Sequence, residues 1–308
     1  MIEVKNISKN YGDLKALDDI SFEVERGELF GLIGPDGAGK TTLFRILATL
    51  QLPDNGTARV ANFDTSGEYR QIRRRVGYMP GRFSLYQDLS VEENLEFFAT
   101  IFGTTIGENY EFIKGIYEQI APFRKRKAGA LSGGMKQKLA LSCALIHKPE
   151  VLLLDEPTTG VDPVSRKEFW DMLKTLKKEN ITILVSTPFM DEAARCERIA
   201  LINKGKILDI DSPEEICRNF SKRLFAVRTS SDMYTLINDL KGFSHTRSAY
   251  AFGEYIHYTD RREDADIPRT LEDYLGRQGH HEILVSEMNP GIEDTFIEYM
   301  TEKEIAVK

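Results

Sequence analysis

The chain runs to 308 residues with 41% apolar and 29% charged types, the balance of a soluble globular protein able to bury one large domain, or one large and one small. Forty-one basic against 48 acidic residues leave a net charge of −7, which excludes a generic nucleic-acid binder. Three scattered cysteines, Cys143, Cys196 and Cys217, give no disulfide framework and no CxxC metal spacing, no apolar run approaches the ~18–20 residues that span a bilayer, and the N-terminus lacks a signal peptide's apolar centre. These features predict a cytosolic chain, for which any membrane work needs another subunit to do the spanning.

Alternating apolar residues at Ile2, Val4 and Ile7, then at Leu17, Ile20, Phe22 and Val24, predict two strands. A fresh apolar run, LFGLIG, ends in a Gly-rich turn, and KTTLFRILATL beyond it has helical spacing. Strand, Gly-rich loop and helix is the order that holds phosphate. Pro53, Asn55 and Gly56 mark a turn before a short strand, TARVANF. Residues 91 to about 147 read mostly as helix: VEENLEFFATIF, with Ser90 as cap and Glu93 three positions on, then NYEFIKGIYEQI over 109–120. The basic run 124–127 reads as solvated surface, because no aromatic stacking platform accompanies it. EVLLLDEP is nearly unbroken apolar sequence ending in two carboxylates, the pattern of a strand buried on both faces of a parallel sheet. RKEFWDMLKTLKKE (helix), ITILVST (strand), MDEAARCERI (helix) and IALINKGKIL (strand) follow, and the alternation predicts α/β architecture.

A boundary is expected near 218–223, dividing domains 1–218 and 219–308. The second part reads as strand LFAVRTS, helix MYTLINDLKG, strands around 250–259, helix IPRTLEDYLGRQG, strand EILVSEM and a last helix, IEDTFIEYMTEK. That β-α-β-β-α-β order predicts a small ferredoxin-like α+β domain. Tyr250, Phe252, Tyr255 and Tyr258 read as packing rather than a ligand box, with a turn at Gly253 and Glu254. Residues 260–266 read as a solvated loop, and the neighbours His280 and His281 lack companions for a metal site.

Three short motifs carry chemistry. Gly34, Pro35, Asp36, Gly37, Ala38, Gly39, Lys40, Thr41 and Thr42 fit G-x-x-x-x-G-K-[ST] in full. Its glycines let backbone N–H groups curl around phosphate oxygens, Lys40 brings charge to the β and γ phosphates, and Thr41 offers a hydroxyl to Mg²⁺. In VLLLDE, Asp155 at a strand end can hold Mg²⁺, and Glu156 stands one residue on to polarise a water. In LSGGMKQ, Ser132, Gly133 and Gly134 form a second anion-binding helix start, with Gln137 one turn in. These predict a bound nucleotide with Mg²⁺.

With these motifs in this order, residues 1 to about 218 resemble the nucleotide-binding subunit of ATP-binding cassette (ABC) transporters, a P-loop NTPase fold with a helical subdomain, here about 88–148. The resemblance implies that Leu131–Gln137 is the family signature, that Asp162 in TTGVDPVSR is the D-loop aspartate, and that Tyr11 stacks on adenine. It implies two cassettes head to tail, as homodimer or heterodimer, each ATP lying between one phosphate loop and the other subunit's Ser132–Gly134. RRRVGYMPGRFSLYQDLSVEENL, FMDEAARCERIALINKGKI and GIEDTFI resemble ATPases serving ABC-2 export permeases, which implies an integral membrane partner, a place on the inner face of the cell membrane, and no nucleic acid.

Two positions depart from the family. Where it has a glutamine reaching the Mg²⁺ and water region, this chain has Gly81; where it has a histidine contacting the γ-phosphate, this chain has Pro188. Neither replaces the lost side-chain hydrogen bonds. Gln87 is too far along to stand in for the glutamine, Ser186 or Thr187 could reach a phosphate without acting as imidazole, and His147 reads as a helix-end residue. The expectation is an ATPase subunit powering an exporter, slow at its own site. Its rival is a regulatory or structural partner of a complete cassette.

Overall fold

The computed structural model describes residues 1–263 and 266–306. The chain begins with β1 (Ile2–Tyr11) and β2 (Leu14–Val24), paired antiparallel so that Ile2 faces Val24 and Val4 faces Phe22. β3 (Leu29–Ile33) follows, then the glycine loop, α1 (Lys40–Leu47), β4 (Asn55–Val60), the two-residue β5 (Phe63–Asp64), α2 (Tyr69–Arg73) and β6 (Val76–Met79). The predicted strand TARVANF stops at Val60, because Ala61 and Asn62 take left-handed backbone, φ 51° and 67°, to turn into β5. Helices α3 (Val91–Ile101), α4 (Ile106–Tyr117) and α5 (Gly133–Leu145) come next. Ser90 and Glu93 make the expected capping box, and a second box at Thr105 and Glu108 starts α4 three residues before its apolar periodicity begins. β7 (Val151–Asp155), α6 (Pro163–Lys178), β8 (Thr182–Thr187), β9 (Arg198–Asn203) and β10 (Lys206–Asp211) complete this part.

The predicted helix MDEAARCERI shrinks to 3-10 turns over Met190–Arg195. Pro188 withholds a donor just before it, and Cys196 is already extended on the way into β9, leaving too little chain for a helix.

β2-β1-β4-β5 form one sheet and β10-β9-β3-β8-β7-β6 another. In the second, β9, β3, β8, β7 and β6 are parallel and β10 closes the edge antiparallel. β3, β7 and β8 are buried at every residue, which is why their sequences lack alternation. Parallel strands end together: Ile33 pairs with Thr187, Asp155 with Ser186 and Met79 with Leu154. The loops after β3, β6, β7 and β8 therefore leave from one edge, where open α/β sheets bind ligands.

The chain divides into two compact units, Met1–Pro213 and Glu214 onward, with α7 (Pro213–Arg218) crossing the division. The second unit contains β11 (Leu224–Arg228), α8 (Met233–Gly242), β12 (Thr246–Phe252), β13 (Tyr255–Asp260), α9 (Ile267–Arg277), β14 (Leu284–Met288) and α10 (Ile292–Ala306). Its sheet is antiparallel in the order β12-β13-β11-β14, the ferredoxin-like arrangement of a β-α-β-β-α-β chain. Leu236 and Leu240 of α8 and Leu271 and Leu275 of α9 pack on Phe225, Val227, Ile256 and Tyr258. Of the predicted solvated loop 260–266, residues 264 and 265 lie outside the described residues, and Asp260 is not solvated. It is buried, its carboxylate gripped by the Arg262 fork at 2.9 and 2.8 Å and by the Tyr258 hydroxyl at 2.8 Å. No described helix is long and apolar enough to cross a membrane.

Candidate functional site

The glycine loop between β3 and α1 is held open by its neighbours. A Cβ on Gly34 would lie 2.1 Å from the carbonyl oxygen of Ile202, and one on Gly39, at φ 107°, 2.5 Å from that of Ala16. Asp36 and Gly37 are exposed at the crest, Ala38 is buried, and Pro35, Thr41 and Thr42 are half-buried. Lys40 is buried with its ammonium turned back onto the loop, donating to the carbonyls of Gly34 at 2.8 Å and Pro35 at 3.0 Å. The same nitrogen lies 3.0 Å from Glu156 Oε1. A cation held by two carbonyls and a half-exposed carboxylate is poised to exchange them for phosphate oxygens.

The two carboxylates beside it are set by strand pairing. Asp155 is buried, and its Oδ1 accepts from the Ser186 hydroxyl at 2.8 Å on the adjoining strand. Oδ2 is buried without a hydrogen-bond partner. Burial pushes the Asp155 carboxyl above the usual carboxylate range, against the pull of the Ser186 and Thr41 hydroxyls. A buried oxygen left open near a threonine hydroxyl fits a small hard cation that takes its other oxygens from water and phosphate. Glu156 follows with left-handed backbone, φ 50°, costly for a non-glycine residue, and its N–H donates to the backbone and hydroxyl oxygens of Ser186 at 3.1 and 3.0 Å. That turn swings its side chain toward Lys40.

Gly81 lies against Asp155 of this pair, and Pro188 follows the end of β8, two residues after the Ser186 bonded to Asp155. A Cβ on Gly81 would stand 3.1 Å from the Asp155 carbonyl oxygen and 3.7 Å from Oδ2, so a side chain there would project onto the open carboxylate. Gln87 does not fill the gap: its backbone and Cβ pack against Gly129. Nor is Thr187 free, since its hydroxyl donates to Glu192 Oε2 at 2.5 Å and accepts from Phe189 N–H at 3.1 Å. Ser186 is engaged by Asp155 and Glu156. His147 stacks on Phe102 at 3.7 Å between centroids and meets the Val76 carbonyl, and burial lowers its pKa to about 4. It belongs to the packing.

The remaining predicted residues lie on other segments. Ser132 caps α5, accepting from Met135 N–H at 3.4 Å, and Gly134 lets that helix start close on Ser165 of α6, whose Oγ would be 2.4 Å from a Cβ there. Gly133 faces Gly160. Gln137, one turn on, lines an apolar cavity of about 390 Å³ with Phe83, Leu85, Phe98 and Phe102. Asp162 is exposed and caps α6, and the Ser165 N–H it accepts holds its carboxyl below the usual range. Tyr11 ends β1 with 45% of its surface exposed and its hydroxyl donating to Gln51 at 2.8 Å. Lys40, Asp155, Glu156 and Gly81 thus come together directly, while Ser132–Gly134 stand by the Gly160–Ser165 segment. The sequence gives no sign of Gln51 or Glu192, and Ser186, expected as a hydroxyl that could reach a phosphate, is instead bonded to Asp155 and Glu156. No sequence signal marks the last, because Ser186 meets Asp155 only through the register of two parallel strands.

Residues 17–159 match a family described as ABC transporter. The chain is 41% identical over 218 residues to the probable multidrug ABC transporter ATP-binding protein YbhF of Escherichia coli, an alignment covering 70% of this chain and 38% of that protein's length. It is 39% identical to the Nod factor export ATP-binding protein I of Burkholderia lata, covering 70% of this chain and 72% of the relative. It is 39% identical to the doxorubicin resistance ATP-binding protein DrrA of Mycobacterium tuberculosis, covering 70% and 66%. Among solved structures, an ATP-binding subunit of an ABC transporter superposes with a TM-score of 0.65 at 27% identity, covering 71% of this chain and 93% of that one. A dimeric ATP-binding cassette in a post-hydrolysis state with ADP and Pi superposes with a TM-score of 0.62 at 28% identity, covering 69% and 98%. The fold, the glycine loop and the carboxylate pair agree with these likenesses, and the chain belongs to the ATP-binding proteins of ABC transporters.

Proposed function

We propose that the chain is an ATP-hydrolysing subunit that powers an ABC-2 type membrane exporter through ATP-dependent dimerisation at the inner face of the cell membrane. On this reading its own Walker site turns over slowly because of Gly81 and Pro188. The observation that carries the proposal is that Lys40, Asp155 and Glu156 converge while Gly81 stands where a side chain would reach Asp155 Oδ2. The names of the three relatives, which speak of multidrug transport, Nod factor export and doxorubicin resistance, support export.

The chemistry follows from the residues. Lys40 exchanges the Gly34 and Pro35 carbonyls for the β and γ phosphates and lets go of Glu156. Glu156, so released, accepts the proton of the attacking water. Thr41 and Asp155 would hold Mg²⁺, which supplies neutralisation of the phosphate charge. The exposed Tyr11 ring stacks on adenine. Ser132, Gly133 and Gly134 present helix-start N–H groups, with Asp162 beside them, to ATP bound by a second cassette. The apolar cavity walled by Phe83, Leu85, Phe98 and Phe102 supports docking of a permease segment, reached through the same loop that holds Gly81.

A second reading, a catalytically weak partner of a complete cassette, is favoured by Thr187. Its hydroxyl is committed to Glu192, so the turn at Pro188 offers no side-chain donor in place of the missing imidazole. Steady-state hydrolysis with Mg²⁺, measured beside nucleotide affinity, tests both. The native chain is expected to bind ATP and turn it over slowly, and Gly81→Gln with Pro188→His to raise turnover by about 30-fold or more, one polar transition-state contact being worth ~2–4 kcal/mol. Ordinary turnover by the native homodimer would overturn the impaired site. Slow turnover that the double change leaves alone would favour the regulatory partner.

A further inference from the structure

Glu192 is a buried carboxylate, 2% exposed, outside every motif read from the sequence. Its Oε2 accepts from two hydroxyls belonging to different loops. Thr158, 3.0 Å away, lies in the segment that runs from Glu156 to Asp162; Thr187, at 2.5 Å, ends β8 just before Pro188. Its Oε1 has no hydrogen bond and lies 3.6 Å from the Arg166 Nε, which is also buried and unpartnered. Arg166 sits in the first turn of α6, its N–H bonded to the Asp162 carbonyl at 2.9 Å, and its guanidinium carbon lies 4.1 Å from the centre of the Phe189 ring. One side chain thus gathers the loop after the catalytic carboxylate, the helix start that Asp162 caps, and the turn at Pro188. Buried carboxylates are costly unless they fasten something, and here the two open atoms leave a contact that a small closing movement of α6 would complete.

We propose that Glu192 is a positioning residue that couples the Thr158–Asp162 loop to the turn at Thr187–Phe189, so that nucleotide seated by Asp155 and Glu156 and a second cassette engaging Asp162 sense one another. The proposal rests on the nucleotide-site reading above. It also says how a chain lacking an imidazole at 188 keeps that turn in register: the turn is held from behind by the carboxylate instead of from the front by phosphate.

Hydrogen exchange on the full chain tests this first without nucleotide. Thr158→Val removes one donor to Glu192 and lies on the other loop. It is expected to speed exchange at the amides of 189–192 by about fivefold, the effect of losing one ordinary hydrogen bond. Glu192→Gln keeps the shape, but whichever way the amide turns, it presents a donor either to two hydroxyls or to Arg166. In that background Thr158→Val should add less than about twofold, the non-additivity expected of a shared network. With MgATP, protection should appear at 158–162 and 189–192 together in the native chain and separately in Glu192→Gln. No change at 189–192 in Thr158→Val, simple additivity of the two substitutions, or exchange raised evenly throughout Met1–Pro213 would overturn the coupling. A native chain that does not bind MgATP would instead sink the nucleotide-site reading, with the nucleotide-free cycle still deciding the role of Glu192.

Discussion

The two units treat buried polar groups in opposite ways. Among the described residues, every buried side-chain nitrogen or oxygen without a hydrogen bond lies in the N-terminal unit, including Asp155 Oδ2, Glu192 Oε1 and Arg166 Nε. In the C-terminal unit the Asp294 carboxylate accepts from His257 Nδ1 and the Tyr250 hydroxyl, both at 2.6 Å, and from Gly291 N–H at 2.7 Å. His280 is likewise closed, between Ser231 at 2.9 Å and Asp239 at 2.8 Å. The two aspartates shift oppositely. Burial raises Asp155; burial works against Asp294 too, but the bonds from His257, Tyr250 and Gly291 outweigh it and hold that carboxyl below the usual range. Closed networks fold a domain; open atoms at the ends of parallel strands wait for something. Thr65, His147 and Trp170 are also unmatched and lie away from the strand ends that hold Asp155 and Glu156, so convergence there, rather than an open atom alone, makes the difference.

The largest expected effect tests the open side. Glu156→Gln should lower turnover by about 10²–10³, the loss expected when one transition-state contact goes. Nucleotide affinity should stay within a few-fold, because Lys40 keeps its two carbonyl partners until phosphate arrives. Parallel loss of binding and turnover would mean that Glu156 holds the loop together and that this region is as closed as the other.

Next comes the closed side. Asp294→Ala leaves the buried His257 and the half-buried Tyr250 without their acceptor and should cost the C-terminal unit about 1–3 kcal/mol, with nucleotide affinity unchanged. The pH dependence has a definite sign. A carboxyl whose folded pKa is depressed contributes stability that is present above its unfolded value, about 4, and lost as pH falls through the lower folded value. Urea unfolding across that acid window should show the native unit losing stability and Asp294→Asn losing less. Equal slopes in both would remove Asp294 as the acid-sensitive group.

The split between the units follows what was legible in the sequence. The glycine loop and the carboxylate pair were readable because the chemistry demands residue types at fixed spacing. The C-terminal topology was readable because strands and helices alternate between clear turns, Gly253 among them at φ 58°. Contacts made by register or by the third dimension were not. Ser186 meets Asp155 only because β7 and β8 are parallel neighbours. Asp260 looked solvated in a run of charges, yet Arg262 and Tyr258 enclose it. The Thr105–Glu108 capping box is written in the sequence, but the apolar spacing of 109–120 points to a start three residues later.

The smallest expected effect concerns a closed bond placed at the open site. The Tyr11 ring is exposed, and one hydrogen bond, from its hydroxyl to Gln51, fixes its tilt. If the ring stacks on adenine, Tyr11→Ala should cost about 1–3 kcal/mol of nucleotide affinity, the worth of one base on an aromatic platform. Gln51 would touch no nucleotide and act only by holding the ring, so Gln51→Ala should weaken ATP by only about two- to tenfold, one hydrogen bond's worth. Tyr11→Phe keeps the ring and drops the hydroxyl, so in that background Gln51→Ala should do nothing further. Binding of ATP set against a triphosphate without a base separates the routes. A Gln51 effect that persists with inorganic triphosphate would come through the phosphate loop, and a neutral Gln51→Ala would mean that adenine sets the tilt of the ring by itself.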